Sequence, residues 1–521
     1  MKLSTTSVVE GKKENRFLAF LKKLGNKIVN YFKPLGEAMA KGDIFTKLSF
    51  LISGFGFFFH HQRQTIYERS DPTDERVRTI AGERVVVQWL RGLFYLALEA
   101  LAILALVFWG IPNFKLLSLT ELVPQPTLEN GLCEIDPMTF DQVCQDVSPT
   151  NSFLIVLFSL ITILILIFFL FVHIASIKSV YAEERKIKEG RHIRTAKEDI
   201  LDLLDEHFYK TPLTLPIIGV VVFTLLPTLM MILIAFTNLG AKDANNANIT
   251  MENFQWVGGS NWVELFSLGN GSNSFLMVFG SQLLWTLVWA LLATLTCFFG
   301  GLLLALLLNS KRTRVTKVWR TGFVLTIAVP QFVSLMLIRY FLHDEAIVNN
   351  ILVSWGLNPI PFLSDPWVTK VTIIVVNCWV GFPYLMLMIS GILLNIPADL
   401  YESARIDGAG KMRMFWSITM PYIMQVCTPY LISSFVSNIN NFNVIYLLTC
   451  DAPSGTGAYQ DVVAKESDLL ITWLYNMISD GSQPKYYMAS IVGIIMFTIS
   501  TIFTLVTFTQ STKGNRERRL G

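Results

Sequence analysis

The sequence predicts an all-α, polytopic membrane protein with about eight transmembrane helices, and three observations support this. Of its 521 residues, 52% are hydrophobic. Only 16% are charged, whereas roughly a quarter of the residues in ordinary soluble domains carry a charge. The apolar residues also fall in nearly uncharged runs that are long enough to cross a bilayer, which takes about 20 helical residues.

Eight such runs are interpreted as spanning helices. They lie at 88–111, 152–176, 213–237, 281–308, 320–342, 371–394, 425–448 and 486–510. The apolar segment 44–60 is short, and spanning would put the Lys-rich N-terminus outside, so it is predicted to be interfacial or re-entrant. The segment 14–33 mixes lysines with apolar residues, which is typical of an amphipathic helix on the inner leaflet. A flexible basic tail is the alternative.

The distribution of Lys and Arg between the loops predicts the orientation. The segments 177–210, 309–320 and 511–521 are rich in basic residues. By contrast, the only basic residue in 112–151 is Lys115, and the only one in 238–280 is Lys242. Because basic residues favour cytoplasmic loops, both termini are predicted to be cytoplasmic.

The spans divide the chain into five parts. Residues 1–87 form a cytoplasmic or interfacial N-terminal region that ends in the polar linker 61–87. Residues 88–176 hold two accessory transmembrane helices joined by the extracytoplasmic loop 112–151, and 177–212 form a cytoplasmic linker. A six-helix core occupies 213–510, with a long cytoplasmic loop at 395–424. Residues 511–521 are a basic cytoplasmic tail.

The six cysteines predict neither a zinc site nor a disulfide scaffold, because they are scattered and no CxxC spacing occurs. Cys133 and Cys144 share the loop 112–151, and on the oxidising side of the membrane they would form a disulfide. Two free thiols are the alternative. No nucleophile–base or metal-binding constellation is recognisable, so neither an enzyme nor a metal site is predicted.

If this membrane protein pumps a solute, the energy must arrive from a partner. No GxxxxGK[ST] loop for nucleotide phosphates occurs in the sequence. No span pairs carboxylates near the bilayer midplane, since Glu99 is alone in its helix and Arg339 lies near an outer end. Carriers driven by protons or sodium usually need such intramembrane charges.

The loop 395–424 predicts a short helix on the cytoplasmic side. Pro397 suits a first helical turn, and Asp399 and Glu402 favour the positive end of the helix dipole. Gly408 and Gly410 would end the helix. Because so short a helix is marginal in water by itself, we expect it to pack against another surface. An ordinary amphipathic loop helix is the alternative.

This loop resembles the signature loop of ABC-importer permeases in Glu402-Ser403-Ala404, Gly408 and Met420-Pro421, with Ser403 in place of the usual alanine. The resemblance implies type I ABC-importer permease architecture and a coupling helix that docks on an ATPase subunit, with Glu402 facing that subunit. It assigns coupling roles to six residues: Glu402, Ser403, Ala404, Asp407, Gly408 and Pro421.

The span 425–448 is unusually polar and indicates a wet or protein-lined face. Ser434, Asn438 and Asn441 share one helix face at spacings of four and three, and such groups are costly against lipid. The preceding span contributes Asn377, Trp379 and Tyr384. Neutral amides, hydroxyls and aromatic rings suit a neutral carbohydrate. Contacts between helices are the alternative role for these polar residues.

From about residue 275 to the C-terminus, the chain resembles the larger membrane subunit of maltose/maltodextrin importers. FLSDP at 362–366, NCWVGFPY at 377–384 and SSFVSNINNF at 433–442 support this resemblance. It implies a sugar site lined by Asn377, Val380, Gly381, Tyr384, Ser434, Ser437, Asn438 and Asn441. Ser437 stands where a sugar-stacking phenylalanine is expected, which leaves the sugar and its pose open.

The resemblance further implies a multi-pass protein of the bacterial plasma membrane that imports maltodextrin-like oligosaccharides. Its partners would be a second, homologous permease, two ATPase subunits that bind ATP, and an extracytoplasmic sugar-binding protein. No cofactor on this chain and no nucleic acid are expected. The alternatives are a permease for a galactoside or raffinose-type sugar and a secondary sugar carrier, although a carrier leaves the motif from Glu402 to Pro421 unexplained.

Overall fold

The computed structural model describes residues 25–27, 29–69, 78–120, 133–135, 142–144, 150–191, 193–205, 208–242, 248–266, 273–310, 313–453, 455–479 and 484–520. The chain divides into two compact units, Met1–Met230 and Met231–Gly521. Most of the predicted amphipathic segment 14–33 lies outside the described residues. Helix α1 covers 29–41.

The first unit contains short elements and long helices. The short helices are α2 (Ile44–Leu48) and α3 (Phe55–Phe59), and the strands are β1 (His61–Arg69), β2 (Arg78–Val87), β3 (Cys133–Ile135) and β4 (Gln142–Cys144). The longer helices are α4 (Trp89–Leu116), α5 (Ser152–Lys188), α6 (Ala196–Leu204) and α7 (Pro212–Ile234), whose last turn reaches the second unit.

The second unit is helical in the part that the structure describes. Its elements are α8 (Ser260–Phe266), α9 (Asn273–Leu308), α10 (Thr316–Ala328), α11 (Gln331–Leu342), α12 (Ile347–Ser354), α13 (Pro366–Leu394), α14 (Ala398–Ile406), α15 (Met420–Ile439), which directly continues the helical turns Lys411–Met414 and Phe415–Thr419, α16 (Phe442–Thr449), α17 (Ala458–Asp461), α18 (Leu470–Ser479) and α19 (Tyr486–Leu520).

Six of the eight predicted spans are single helices long and apolar enough to cross a membrane: α4, α5, α7, α9, α13 and the Tyr486–Thr507 part of α19. The span 320–342 is instead a bent pair, with α10 and the chain from Gln331 onwards at 95° to each other. Pro330 lies at the bend in a non-helical conformation, because it has no amide hydrogen to donate to a continuing helix.

The prediction of one continuous helix over 425–448 is wrong. Helix α15 ends at Ile439, and α16 begins at Phe442 after a break at Asn440 and Asn441. The Asn441 side chain accepts a hydrogen bond from the Val444 amide at 3.3 Å and thereby caps the new helix. Asparagine favours this capping position over a helix interior.

The segment 44–60 is not a spanning helix, since α2 and α3 have only five residues each. Between them, the Ser53 amide donates to the Glu99 carboxylate at 2.6 Å. The Ser53 hydroxyl lies 2.6 Å from His173 Nδ1, and His173 Nε2 lies 3.2 Å from the Phe50 carbonyl oxygen. Glu99 in the span α4 therefore has a structural role, because it satisfies a backbone amide of the segment 44–60.

A second carboxylate anchors the start of the same segment. Glu184, which is 3% exposed, accepts hydrogen bonds from the Asp43 amide at 3.0 and 3.1 Å and from the Thr46 hydroxyl at 2.5 Å. Asp43 in turn lies 3.0 Å from His60 Nε2. These contacts hold both ends of the 43–60 segment against α5.

The predicted linker 61–87 contains an antiparallel hairpin. Strands β1 and β2 pair from His61 opposite Val87 to Arg69 opposite Arg78, with an irregularity at Ile66 and Tyr67. The sequence did not predict this pairing, because charged residues obscure the alternation of apolar and polar positions that identifies a half-buried strand.

Strands β3 and β4 bring the two cysteines of the loop 112–151 into register. Cys133 lies directly opposite Cys144 in the antiparallel ladder. Facing Cα atoms in such ladders are about 4.5–5.5 Å apart, within the range of about 4.4–6.8 Å that disulfides span. The side chains of both cysteines lie outside what the structure describes, so the disulfide remains a prediction.

We expect native membranes to contain the Cys133–Cys144 disulfide. Closing a loop of this size stabilises a fold by about 3 kcal/mol, chiefly by restricting the unfolded chain. Mass spectrometry of a non-reduced digest after thiol alkylation should find the cross-linked peptide, and a Cys133→Ser variant provides the control. Recovery of both cysteines as alkylated thiols would contradict the prediction.

Three helices contain a π-helical turn that ends just before a proline. The turns Leu106–Gly110, Val221–Leu225 and Phe415–Thr419 precede Pro112, Pro227 and Pro421, respectively. A proline inside a helix removes one hydrogen bond and clashes with the carbonyl of the preceding turn. The wider turn relieves that clash, so each helix continues through its proline.

Helix α9 is the centre of the second unit, where it packs closely on α13. Gly300 and Gly301 face Phe382 and Leu385, and an added Cβ on Gly300 would lie 2.2 Å from the Phe382 ring. The buried Trp289 of α9 packs in one cluster with Ile373 of α13 and Val444 of α16. This packing fixes the helices that carry the candidate sugar-site residues.

The chain between α16 and α18 is held by hydrogen bonds of half-buried Lys465 and buried Asp468. Lys465 Nζ donates to the carbonyls of Thr449 at 2.8 Å and Cys450 at 2.7 Å. Asp468, which is 2% exposed, accepts from the Lys465 amide and from the Asn476 side chain, both at 2.8 Å. Burial raises the pKa of Asp468 to about 6.

We expect this segment to become more stable as the pH falls from 7.5 to 5. Burial favours the neutral carboxyl of Asp468 and so raises its pKa in the folded protein. The protonated side chain therefore stabilises the fold fully below the ordinary pKa of 3.8, and this stabilisation is lost as the pH rises through about 6. Hydrogen exchange at Asn476, corrected for intrinsic rates, measures this effect. Asp468→Asn should abolish the pH dependence, and its persistence in that variant would contradict the assignment.

Candidate functional site

Helix α14 is the short helix predicted in the loop 395–424. It begins after a proline and ends at a glycine. Pro397 immediately precedes it, and Asp399 lies in its first turn. At the other end, Gly408 has a φ of 77°. The Gly408 amide donates to the Arg405 carbonyl at 3.0 Å and the Ala409 amide to the Ala404 carbonyl at 2.9 Å, which is the pattern of a glycine-ended helix. Gly410 instead precedes the next helical turn.

One face of α14 is open and another is tied to the protein. Glu402, Ser403, Asp407 and Gly408 are exposed, and Ala404 is half-buried. The Tyr401 hydroxyl lies 2.9 Å from the Thr419 hydroxyl in the π turn before Pro421. This contact links α14 to the start of α15 and so to a long helix.

Exposed apolar side chains occur on α14 and on the helical segment that follows it. Ile406 is 86% exposed, and Leu400, Met412 and Trp416 are also exposed. Large exposed apolar patches with polar neighbours mark contact surfaces. The α14 region therefore has the composition of a docking surface centred on a short, rigid helix.

A cavity of about 300 Å³ lies at the bend between α10 and α11. Its lining comprises Thr326, Ile327, Ala328, Val329, Pro330, Gln331 and Ser334 from the bend and Trp379, Val380 and Tyr384 from α13. Of the predicted sugar-site residues, it brings together Val380 and Tyr384. The bend was not predicted, because the composition of 320–342 is that of one apolar span, although Pro330 marks the break.

Asn377 and Gly381 lie at the contact between α13 and α9. Asn377 is 7% exposed, and its Nδ2 lies 3.4 Å from Cys297 Sγ. A Cβ added to Gly381 would lie 2.4 Å from the same sulfur atom. Both residues therefore set the close approach of these helices, and neither lines the cavity at the bend.

The polar residues of α15 form a chain of hydrogen bonds to α9. Asn438 Nδ2 donates to the Thr294 hydroxyl at 3.1 Å, and Asn441 Nδ2 donates to Asn438 Oδ1 at 3.3 Å. Ser434 is half-buried and Ser437 is exposed. Asn438 and Asn441 are thus hydrogen-bonded to each other, although the helix break lies between them and they do not share one continuous helix.

A pair of tyrosine rings connects this polar chain to the cavity. The ring of Tyr384, which is 50% exposed, lies 5.6 Å from the ring of Tyr430 at an interplanar angle of 32°. Tyr430 precedes Ser434 by one helical turn of α15. The two candidate groups therefore adjoin each other, with Tyr384 common to both.

Comparison with known proteins identifies the family of this chain. The model of the family described as "Binding-protein-dependent transport system inner membrane component" matches residues 298–510. The maltodextrin transport system permease protein MalC of Streptococcus pneumoniae is 30% identical over 67% of this chain and 79% of its own length. The chain belongs to this permease family.

Other relatives in the family differ in their named sugars. The galactooligosaccharide permease protein GanP of Bacillus subtilis is 29% identical over 68% of this chain and 82% of its own length. Among solved structures, the chain is similar to a bacterial ABC transporter involved in the import of the acidic polysaccharide alginate. The match covers 60% of this chain and 97% of the transporter chain, at 23% identity and a TM-score of 0.48.

Family membership confirms the predicted class of protein. The permease is a multi-pass inner-membrane subunit of a binding-protein-dependent ABC importer. In such importers, ATP hydrolysis belongs to separate ATPase subunits, so the permease is a transport component and not an enzyme. The matched region contains both α14 and the residues of the candidate sugar site.

The described lining of the permease's cavity carries no charged side chain. Thr326, Gln331 and Ser334 offer hydroxyl and amide groups, while Trp379 and Tyr384 offer ring faces. Such a mixture of apolar walls and a few polar groups is typical of small-molecule sites. A neutral, hydroxyl-rich ligand fits this lining better than an ion.

Proposed function

We propose that this permease moves maltodextrin-like, neutral oligosaccharides into the cytoplasm as one of two membrane subunits of an ATP-driven importer. The observation that supports this best is the uncharged cavity at the bend between α10 and α11, with Tyr384 at its edge. The relative MalC, named as a maltodextrin permease protein, agrees with this substrate class.

The chemistry of the cavity suits a glucosyl unit. Sugar hydroxyls donate and accept hydrogen bonds, so Gln331, Ser334 and Thr326 would bind the edges of the ring. The apolar C–H faces of a sugar pack on aromatic rings, which Trp379 and Tyr384 supply. Asn438 and Asn441 would extend the polar surface beyond Tyr430, while Ser437 leaves room where a phenylalanine is expected.

The proposed assembly follows from this role. A second, homologous permease would complete the sugar pathway, and two ATPase subunits would bind ATP and contact α14 through Glu402. An extracytoplasmic sugar-binding protein would deliver the oligosaccharide. Both termini of the permease would lie in the cytoplasm, in agreement with the distribution of basic residues.

A galactooligosaccharide is the second candidate substrate, because GanP covers slightly more of this chain at nearly the same identity. A sugar panel distinguishes the two, with ATPase stimulation and uptake measured together in the assembled importer. Maltotriose and maltotetraose are expected to be transported, whereas galactooligosaccharides, raffinose and a charged alginate oligosaccharide are not. Transport of galactooligosaccharides alone would replace the maltodextrin assignment.

A further inference from the structure

Helix α16 has an open polar face that follows a row of exposed polar residues on α15. Ser433, Ser437 and Asn440 are exposed at spacings of four and three, and Asn443 of α16 is exposed after the helix break. Asn443 lies within the apolar run 425–448, where an amide that faces lipid is costly. This face therefore borders water or another molecule.

Three aromatic rings lie beside Asn443, two on α16 and one on α18. The Phe442 ring lies 4.8 Å from the Tyr446 ring and 5.0 Å from the Tyr475 ring, and the two tyrosine rings are 4.9 Å apart. Tyr475 is 38% exposed, and Phe442 and Tyr446 are half-buried. We call these three residues the aromatic cluster. Asn443 precedes Tyr446 by three positions and so neighbours it on the helix surface.

The buried sides of α16 and α18 hold the aromatic cluster in place. Val444 and Leu448 of α16 pack with the buried Trp289 of α9. On α18, the buried Trp473 donates from its indole to the Val462 carbonyl at 2.9 Å. A surface that is fixed in this way loses little conformational entropy when a ligand binds.

The open face of α16 is uncharged. Asn443 offers an amide, the two tyrosines of the aromatic cluster offer hydroxyls, and all three rings offer apolar surface. The charged groups that act on Tyr446 are Arg339 and Asp451, which lie 3.4 Å apart and compensate each other. A few neutral polar groups among apolar surface suit a neutral, hydroxyl-rich ligand better than an ion.

The aromatic cluster continues the candidate sugar site along the chain. Phe442 directly follows Asn441, which is hydrogen-bonded to Asn438. Tyr446 lies five residues beyond Asn441, which corresponds to about 7–8 Å along a helix. No residue of the cluster lines the cavity at the bend, so a ligand there would lie beyond the contacts already described.

We propose that the aromatic cluster and Asn443 form a second sugar subsite, which binds a further unit of an oligosaccharide held at Tyr384 and Asn438. This inference rests on the proposed import function and adds a determinant of chain length. Because the cluster lies beyond Asn441, only a chain longer than the first site holds would reach it. The second subsite therefore favours maltotetraose over maltose.

The test uses the assembled importer in liposomes with saturating binding protein and an equimolar mixture of maltose and maltotetraose carrying different labels. The ratio of maltotetraose to maltose uptake is measured, so the preference of the binding protein is the same for every variant. Tyr446→Ala and Tyr475→Ala are each expected to lower this ratio about 5-fold. Asn443→Ala should lower it about 3-fold through a lost hydrogen bond.

Tyr340→Ala is the matched control, because Tyr340 is a 74% exposed tyrosine outside the aromatic cluster. It should leave the ratio unchanged, and an equal fall in this control would contradict the inference. Asn443→Ala keeps all three rings and decides the case in which a tyrosine variant fails to assemble.

An unchanged ratio in Asn443→Ala and in the tyrosine variants that assemble would overturn the inference, even if uptake of both sugars fell together. Loss of the second permease from the complex purified with Asn443→Ala would assign this face to that subunit and would also overturn it. If the wild-type importer transports neither sugar, the proposed function itself fails. Normal maltose uptake with an unchanged ratio refutes the second subsite alone.

Discussion

Replacing Glu402 with lysine is expected to reduce ATP-driven uptake at least about 100-fold while the importer still assembles. Glu402 is exposed on a short helix whose glycine end and Tyr401–Thr419 contact fix its position. Bringing like charges together across an interface costs several kcal/mol, and about 2.7 kcal/mol corresponds to a 100-fold loss of affinity. Uptake and ATP hydrolysis should be measured together, because loss of coupling lowers uptake more than it lowers ATP hydrolysis.

Two further variants make the Glu402 experiment specific. Glu402→Gln removes the charge without reversing it and should reduce uptake less. Asp205→Lys reverses an exposed carboxylate in the predicted cytoplasmic linker and should leave uptake unchanged. Wild-type uptake by the Glu402→Lys variant would show that α14 does not couple this subunit to an ATPase.

Shortening Tyr384 to alanine is expected to weaken sugar binding about 10-fold, with assembly intact. The variant removes one wall of the cavity and the ring that faces Tyr430. Contacts between aromatic rings contribute about 0.5–1.5 kcal/mol beyond the free energy gained from buried area. About 1.4 kcal/mol corresponds to a tenfold change in affinity. The sugar concentration for half-maximal uptake measures the effect.

Asn438→Ala tests the polar half of the same site. It removes the hydrogen bonds to Thr294 and Asn441, and a lost hydrogen bond costs about 0.5–1.5 kcal/mol. Tyr384→Phe, which keeps the ring, and Trp367→Ala, at an exposed aromatic outside this cavity, are the controls. If both alanine variants at 384 and 438 transported every tested sugar normally, these residues would serve only to pack the helices.

The Ser437→Phe variant tests whether the serine at this position determines which sugar the permease prefers. Ser437 is exposed one residue before Asn438, so a ring there has room to reach a ligand next to Tyr430. A change in the ranking of sugars would place position 437 at the binding surface.

The features that the sequence predicted well are those with local physical causes. Long uncharged runs identify most spans, and Gly408 ends α14 because it adopts a conformation that other residues resist. The short helix that carries Glu402 was predicted from the same segment. Neither conclusion required knowledge of distant contacts.

The features that the sequence missed depend on distant partners or on breaks within apolar runs. Asn377 pairs with Cys297, eighty positions away, and a polar residue in a span looks the same whether it faces a cavity or another helix. Glu99 suggested an isolated intramembrane charge, yet its partner is the Ser53 amide of the segment 44–60. Pro330 and Asn441 break apolar runs whose composition suggested continuous helices.

ATP-driven uptake of labelled maltotetraose into proteoliposomes is the most direct test of the central claim. The liposomes would contain the permease with its second permease and ATPase subunits, with binding protein outside and ATP inside. We predict that labelled sugar accumulates only when ATP and binding protein are both present, and that Glu402→Lys abolishes the accumulation. Uptake that proceeds equally without ATP, or none for any neutral oligosaccharide by a fully assembled complex, would contradict the account.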